Sequence, residues 1–344
     1  MKVAKLYSAD DIRIEDAPIP PLGDGEALME TRACGICSGD VMKWYIERKA
    51  PLVLGHEPSG VIVQTGAGVT GARPGDRVFV HHHAPCMCCS HCRRGDHVHC
   101  SSWRASRIIP GGISEYVIIP ELNLRHDTLT LPADISFDAA TLIEPAGCVV
   151  KSLRRSSLRN GDTVLVLGLG VMGQLHIMVA RSMGAGTVIG ADMVPFRLQK
   201  AQESGADHII DVGTTSLRAA VGKLTAGQMA QVVVVGPNSA RAMIEGLSCV
   251  AAGGTLLLFT PALPGEMISL DPNDLYFRDV SIVTSYSCGP NDTREALRLI
   301  SQGTIRPETI ITHRFDISGT AEAYRLTAEA RNSIKCIVVF EKGG

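Results

Sequence analysis

The chain has 344 residues, of which 45% are hydrophobic and 20% charged, and its net charge is -2. That length suits two domains, and the near-neutral charge excludes bulk attraction to nucleic acid or an anionic membrane. No apolar run is long enough to span a bilayer. The start, MKVAKLYSADDIRIED, lacks the apolar stretch of an export signal, so a cytoplasmic protein is expected. Eleven cysteines in such a chain point to metal binding or free thiols rather than disulfides.

Residues 1–16 alternate as VAKLY and IRIED, which predicts two short strands. After the turn region APIPPLGDGEA, the strand EALMETRACGIC leads into ACGICSGDVMKWYIERKAPLVLGHE, Ala33 to Glu57. Within it Cys37, His56 and Glu57 offer a thiolate, an imidazole and a carboxylate, the ligand types that Zn²⁺ takes. Taken alone, each reads as a buried thiol or a core histidine. GVIVQTGAGV and GARPGDRVFVHHH add strands and tight turns, so an irregular β-barrel is expected here.

A second cluster follows in APCMCCSHCRRGDHVHC. Cys86, Cys89, Cys92 and Cys100 stand in the spacing C-x2-C-x2-C-x7-C, which fits a closed, structural tetrahedral zinc site. Such a loop has little core of its own, so metal would supply its ordering energy. Cys88 is a fifth thiol that could replace Cys89. His82, His83, His91, His97 and His99 are expected to be solvated loop residues.

From Asn160 the pattern changes to DTVLVLGLGVMGQLHIMVARSMGA, a strand, a glycine-rich turn and a helix. Gly168, Gly170 and Gly173 form G-x-G-x-x-G around Val171 and Met172, and the strand TVIGAD ends at Asp192. This is a dinucleotide site: the pyrophosphate sits at the helix N-terminus and the acid takes the ribose hydroxyls. Asp192 would repel a 2′-phosphate, which favours NAD over NADP. Arg197 fits either a place near the adenosine ribose or a solvated helix cap. Further apolar strands alternate with helices to Ser287, which implies a parallel sheet covered on both faces. The last strand, IKCIVVFE, resembles the N-terminal region and is expected to return to it.

The motifs G-I-C-S-G-D, G-H-E, the four-cysteine lobe, L-I-E-P at Leu142–Pro145, G-L-G-V-M-G and I-T-H-R-F together resemble the zinc-dependent medium-chain dehydrogenases, in their sorbitol/threonine dehydrogenase-like branch. The resemblance covers essentially the whole chain. It implies an α/β protein: a GroES-like β-barrel catalytic domain over 1–147 with a zinc lobe at 84–104, a Rossmann domain over 148–286, and a return over 287–344. It implies a catalytic zinc on Cys37, His56 and Glu144, with Glu57 in or next to the shell, and a structural zinc on Cys86, Cys89, Cys92 and Cys100. Family members commonly carry a proton-relay hydroxyl or histidine where this chain has Gly39 and Met42; Ser38 is the substitute that stands nearest. The expected activity is hydride transfer between a secondary alcohol (a polyol, sugar alcohol, cyclitol or amino alcohol) and NAD, in a homo-oligomer, a tetramer rather than a dimer. Carbonyl reduction at the same site, a threonine- or butanediol-type dehydrogenase, and an NAD-binding sensor are the alternatives.

Overall fold

The computed structural model describes residues 1–340. The chain divides into two compact units, one of Met1–Gly147, Cys288–Gly303 and the stretch from Ile310 onward, the other of Cys148–Ser287 with Thr304–Thr309.

In the first unit, strands β1 (Lys2–Ser8), β2 (Asp11–Asp16), β3 (Ala27–Gly35), β4 (Leu52–Val53), β5 (Glu57–Thr65), β6 (Arg77–Val80), β7 (Tyr116–Ile119) and β8 (Thr128–Thr130) follow in sequence. β1 carries β2 and β4 on its two sides in a three-stranded sheet. β3 is the hub of the larger sheet. Its first half pairs with β7 and its length pairs with β5, both antiparallel. Its pattern of almost unbroken burial fits that central place.

In the second unit, β9 (Thr163–Leu167), β10 (Thr187–Asp192), β11 (His208–Asp211), β12 (Ala230–Val235), β13 (Val250–Leu258) and β14 (Ser281–Thr284) make one parallel sheet. The spatial order β11-β10-β9-β12-β13-β14 turns back at β9, so the crevice outside its C-terminal end is a topological switch point. Leu165, Ile189, Val233 and Leu256 are buried in its core with Met243 from the helix Ala240–Leu247.

The chain then returns to the first unit through β15 (Ile311–Phe315) and β16 (Lys335–Val339). β16 pairs antiparallel with the second half of β3, Ile337 opposite Gly35 and Val338 opposite Cys34. The larger sheet thus runs β15-β16-β3-β5-β6-β8, with β7 on β3. The expected barrel is in fact this open seven-stranded sheet with the three-stranded sheet beside it. Among the described residues, no helix is long and apolar enough to cross a membrane.

Candidate active site

The four expected lobe cysteines converge. Their sulfurs lie within 4.8 Å of one another. Four thiolates at the usual zinc–sulfur distance stand about 3.8 Å apart in a tetrahedron. The observed separations are 3.5 Å for Cys89 and Cys92, 3.6 Å for Cys86 and Cys100, and 4.0 Å for Cys86 and Cys92. The group therefore fits zinc. Cys88 touches Cys86 but is exposed and outside the mutual group. Apart from these cysteines, Val98 and Trp103 are the buried residues of the lobe's small core among the described residues. The N–H groups of Cys88 and Cys89 lower the Cys86 thiol to about 6, so it is ready to ligate as thiolate.

The second cluster is built from distant segments. Cys37 follows β3 and caps the short helix Ser38–Val41, where its sulfur accepts from the Gly39 N–H at 3.3 Å. Ser38 is half-buried at the first position of that helix. Asp40 on the same turn is buried, with Oδ2 3.1 Å from His56 Nδ1. A carboxylate on Nδ1 fixes the ring and leaves Nε2 for a cation. Burial opposes a charge on His56, but the Asp40 carboxylate and the Cys37 thiolate outweigh it and hold its pKa well above the ordinary 6.5.

Glu57 opens β5 and is wholly buried. Its Oε2 accepts from the ammonium of Lys335, a residue of β16 that is itself 1% exposed and also donates to the Ile36 carbonyl at 2.8 Å. Burial raises the Glu57 carboxyl, and Lys335 and His56 oppose that; Glu57 in turn raises Lys335 against its own burial. Glu57 Oε1 is buried with no hydrogen-bond partner among the described residues. One Glu57 oxygen forms a group with Cys37 and His56 whose ligand atoms all lie within 4.8 Å of one another. A thiolate, an imidazole and an orphaned carboxylate oxygen fit Zn²⁺. The glycine in A-C-G-I-C is what admits this arrangement: a Cβ on Gly35 would come within 1.9 Å of Glu57 Oε2. Cys34, next to last in β3, is fully buried, and burial with the nearby Glu57 pushes its thiol to about 12.

Glu144 is buried in the first turn of the helix Ile143–Arg155, with Pro145 next to it where a missing N–H costs nothing. Its carboxylate groups with His81 and His82 within 4.8 Å, not with Cys37. The two groups adjoin, since the His56 and His82 rings are 4.7 Å apart.

The dinucleotide turn takes the expected form. β9 ends at Leu167, Gly168 follows with φ of +82°, and Gly170 precedes the helix Val171–Ser182, whose first turn holds Val171 and Met172. A Cβ on Gly173 would stand 2.1 Å from the Gly168 carbonyl, so only glycine lets this helix pack on the turn. Asp192, buried at the end of β10, accepts from the Leu169 N–H at 2.7 Å and from Met193 and Val194 at 2.7 and 3.0 Å. Arg197 is 3.5 Å from Asp192 Oδ2, and its side chain is 20% exposed.

Several residues escape sequence reasoning. The histidines after β6 are not solvated. His81 is wholly buried, its Nδ1 2.8 Å from Asp127 Oδ2, and Thr293 donates to the other Asp127 oxygen at 2.6 Å. His83 Nδ1 is 2.7 Å from the Ser106 carbonyl, and His97 is buried; His91 and His99 are exposed as expected. Lys335 had one visible signal, a lone lysine inside the apolar run I-K-C-I-V-V-F.

Comparisons with known proteins agree with this architecture. The family model described as alcohol dehydrogenase GroES-like domain matches residues 23–132, and that described as zinc-binding dehydrogenase matches 171–302. The sorbitol dehydrogenase of Halalkalibacterium halodurans is 32% identical over 94% of this chain and 94% of its own. Among solved structures, a zinc-binding dehydrogenase of Sinorhizobium meliloti bound to NADP superposes with TM-score 0.87 at 26% identity, covering 98% of this chain and 99% of its own. An Escherichia coli alcohol dehydrogenase complexed with NADH gives 0.87 at 27% identity, covering 99% of each chain. The chain thus belongs to the zinc-dependent medium-chain dehydrogenases and is a zinc- and nicotinamide-dependent alcohol dehydrogenase. Within that family it falls in the sorbitol dehydrogenase-like branch.

Proposed function

We propose that this enzyme oxidises a polyol or closely related secondary alcohol with NAD, at a zinc held by Cys37, His56 and Glu57. The observation that carries the reading is the buried, unpartnered Glu57 Oε1 beside Cys37 and His56. In this reading Glu57 takes the ligand place that the family resemblance gives to Glu144, and Glu144 lies in the adjoining group with His81 and His82. Zinc, when bound, supplies the Lewis acid that polarises the substrate hydroxyl, and the nicotinamide accepts the hydride. The chain's own residues prepare that step. Asp40 orients His56, and Lys335 holds one oxygen of Glu57 so that the other stays available. Gly39 and Met42 cannot carry a proton, which leaves the Ser38 hydroxyl and the Glu144 carboxylate to take it. Cys86, Cys89, Cys92 and Cys100 hold the structural zinc.

Asp192 supports NAD as the cofactor: it closes β10 over the turn, and a 2′-phosphate there would meet its charge. The enzyme is a homo-oligomer in this reading, a tetramer by resemblance. Its support is the exposed apolar surface beside the edge strand β14, where Tyr276 and Phe277 are each 78% exposed. Eleven free cysteines suit the reducing cytoplasm.

The test is a panel of polyols, amino alcohols and simple alcohols with NAD⁺ and NADP⁺, alongside metal analysis. Two zincs per chain and NAD⁺-dependent oxidation of polyols are expected. Glu57→Gln should lose the catalytic zinc while Glu144→Gln keeps it; the reverse result returns the third ligand to Glu144. No NAD⁺-dependent oxidation of any alcohol by the two-zinc protein would overturn the reading.

A further inference from the structure

His82 stands between two histidines that are both fully committed. His81 is fixed through Nδ1 by Asp127, with its Nε2 3.8 Å from the Cys288 sulfur. His83 is fixed through Nδ1 by the Ser106 carbonyl and packs its ring on Trp103 at 4.2 Å. His82 has no such anchor. Its Nδ1 is buried without a hydrogen-bond partner among the described residues. Its ring lies 4.7 Å from that of the zinc-site residue His56 and 4.1 Å from that of His83. One of its nitrogens is within 4.8 Å of a ligand atom of Glu144.

A buried polar nitrogen left unsatisfied costs about 1–3 kcal/mol. Such groups are rare in folded proteins, and each calls for an explanation such as a catalytic role or a bound water or ion. The place of this one is specific. It adjoins the cation group of Cys37, His56 and Glu57, where the reacting hydroxyl must bind. A substrate atom that meets His82 would therefore lie close to the reacting carbon.

The chemistry of the ring narrows what that part is. Its Nδ1 is buried and unpartnered among the described residues, and a charge is costly to bury there, so the hydrogen bonding is that of the neutral ring. A neutral imidazole offers one N–H and one lone pair. A carboxylate or phosphate, which only accepts, would use half of that capacity, and Glu144 beside it would repel the charge. An ammonium group could donate to the lone pair alone. A hydroxyl both donates and accepts, and matches fully.

We propose that His82 hydrogen-bonds a second hydroxyl of the substrate, on a carbon adjacent to the one oxidised, and so selects vicinal diols and polyols over simple secondary alcohols. The inference rests on the alcohol-oxidising reading above and assigns its specificity to one side chain. It accounts for a histidine where an apolar wall would otherwise suffice. It also explains the run H-H-H: the outer two histidines are tied down and carry the middle one to a fixed place.

The experiment uses the full-length, zinc-loaded enzyme as wild type, His82→Phe and His82→Asn. The quantity read is the ratio of kcat/KM for a vicinal diol, 2,3-butanediol or sorbitol, to kcat/KM for 2-butanol. A site built to bond a hydroxyl discriminates strongly against a substrate that lacks it. The ratio should fall by about 100-fold in His82→Phe and recover partly in His82→Asn, whose amide restores a donor and an acceptor. Zinc should stay at two per chain in all three proteins, and the Tm of His82→Phe should equal or exceed that of wild type. An unchanged ratio overturns the proposal. Loss of a zinc in His82→Phe overturns it as well, by making His82 a metal ligand. A wild-type enzyme active on 2-butanol but with no preference for the diol sinks this inference and leaves the alcohol-oxidising reading standing. A wild-type enzyme inert on every alcohol sinks both.

Discussion

In the dinucleotide turn every residue that matters falls between Gly168 and Arg197, whereas the Cys37 cluster draws on the segment after β3, the start of β5 and β16. The first needs only a strand, a turn and a helix in sequence, so its chemistry is backbone N–H groups and one terminal acid. The second must hold a thiolate, an imidazole and a carboxylate of opposite preferences in one dry place. It does so by burying a compensating charge, Lys335, at the far end of the chain. A contiguous site can be damaged without much loss of stability. A composite site whose charges neutralise one another fails as a unit.

Four measurements would break or sharpen that contrast. Cys37→Ala has the largest expected effect: alcohol oxidation falls by about 10³-fold or more while NAD binding, followed by fluorescence titration, is retained. Equal loss of both would mean that the two sites are not separable. Next, Lys335→Met leaves a buried carboxylate unpaired, which costs about 3–5 kcal/mol in denaturant unfolding. The double variant Lys335→Met, Glu57→Gln should regain part of that stability but not the catalytic zinc; additive losses would refute the pairing.

The third concerns acid. His176, in the helix of the dinucleotide turn, has its pKa lowered to about 4 by burial, although the Met172 carbonyl opposes this. Its ordinary value is 6.5. The unfolded chain takes up a proton below 6.5 and the folded chain does not, so the contribution is intact above 6.5 and is lost as pH falls toward 4. The loss amounts to about 3 kcal/mol. His176→Gln should flatten the stability profile between those limits, and an unchanged slope would contradict it. Smallest is Asp192→Ser, which should lower the NAD⁺ over NADP⁺ preference in kcat/KM by about 10-fold without altering zinc content. Arg197, already 3.5 Å from Asp192, would then face the 2′-phosphate without a competing acid.

The same contrast explains what could be read in the amino-acid sequence. The cysteine lobe and the glycine turn were legible because spacing alone specifies them: four thiols within fifteen positions, three glycines within six. The choice between carboxylates was not: the resemblance alone put Glu144 in the shell and Glu57 in or next to it, and neighbours on one strand point to opposite faces. The structure puts His56 outside the strand, after Gly55 at φ +89°, and only Glu57 in the β5 ladder. That re-aiming is a backbone event that composition does not announce. His82 was misread for a related reason. Three polar residues before a cysteine loop resemble a solvated linker until Asp127 and Ser106, from later segments, bury the outer two.

The pairing of β16 with β3 also bears on how the protein is made. Cys86 to Cys100 leave the ribosome together and can take up zinc as soon as they emerge, well before the second unit exists. Lys335, the counter-charge of the Cys37 cluster, is synthesised 278 residues after Glu57. Until it emerges, Glu57 has no ammonium beside it and β3 lacks one neighbour. The four-cysteine group is therefore complete on the nascent chain well before the Cys37 cluster has its counter-charge.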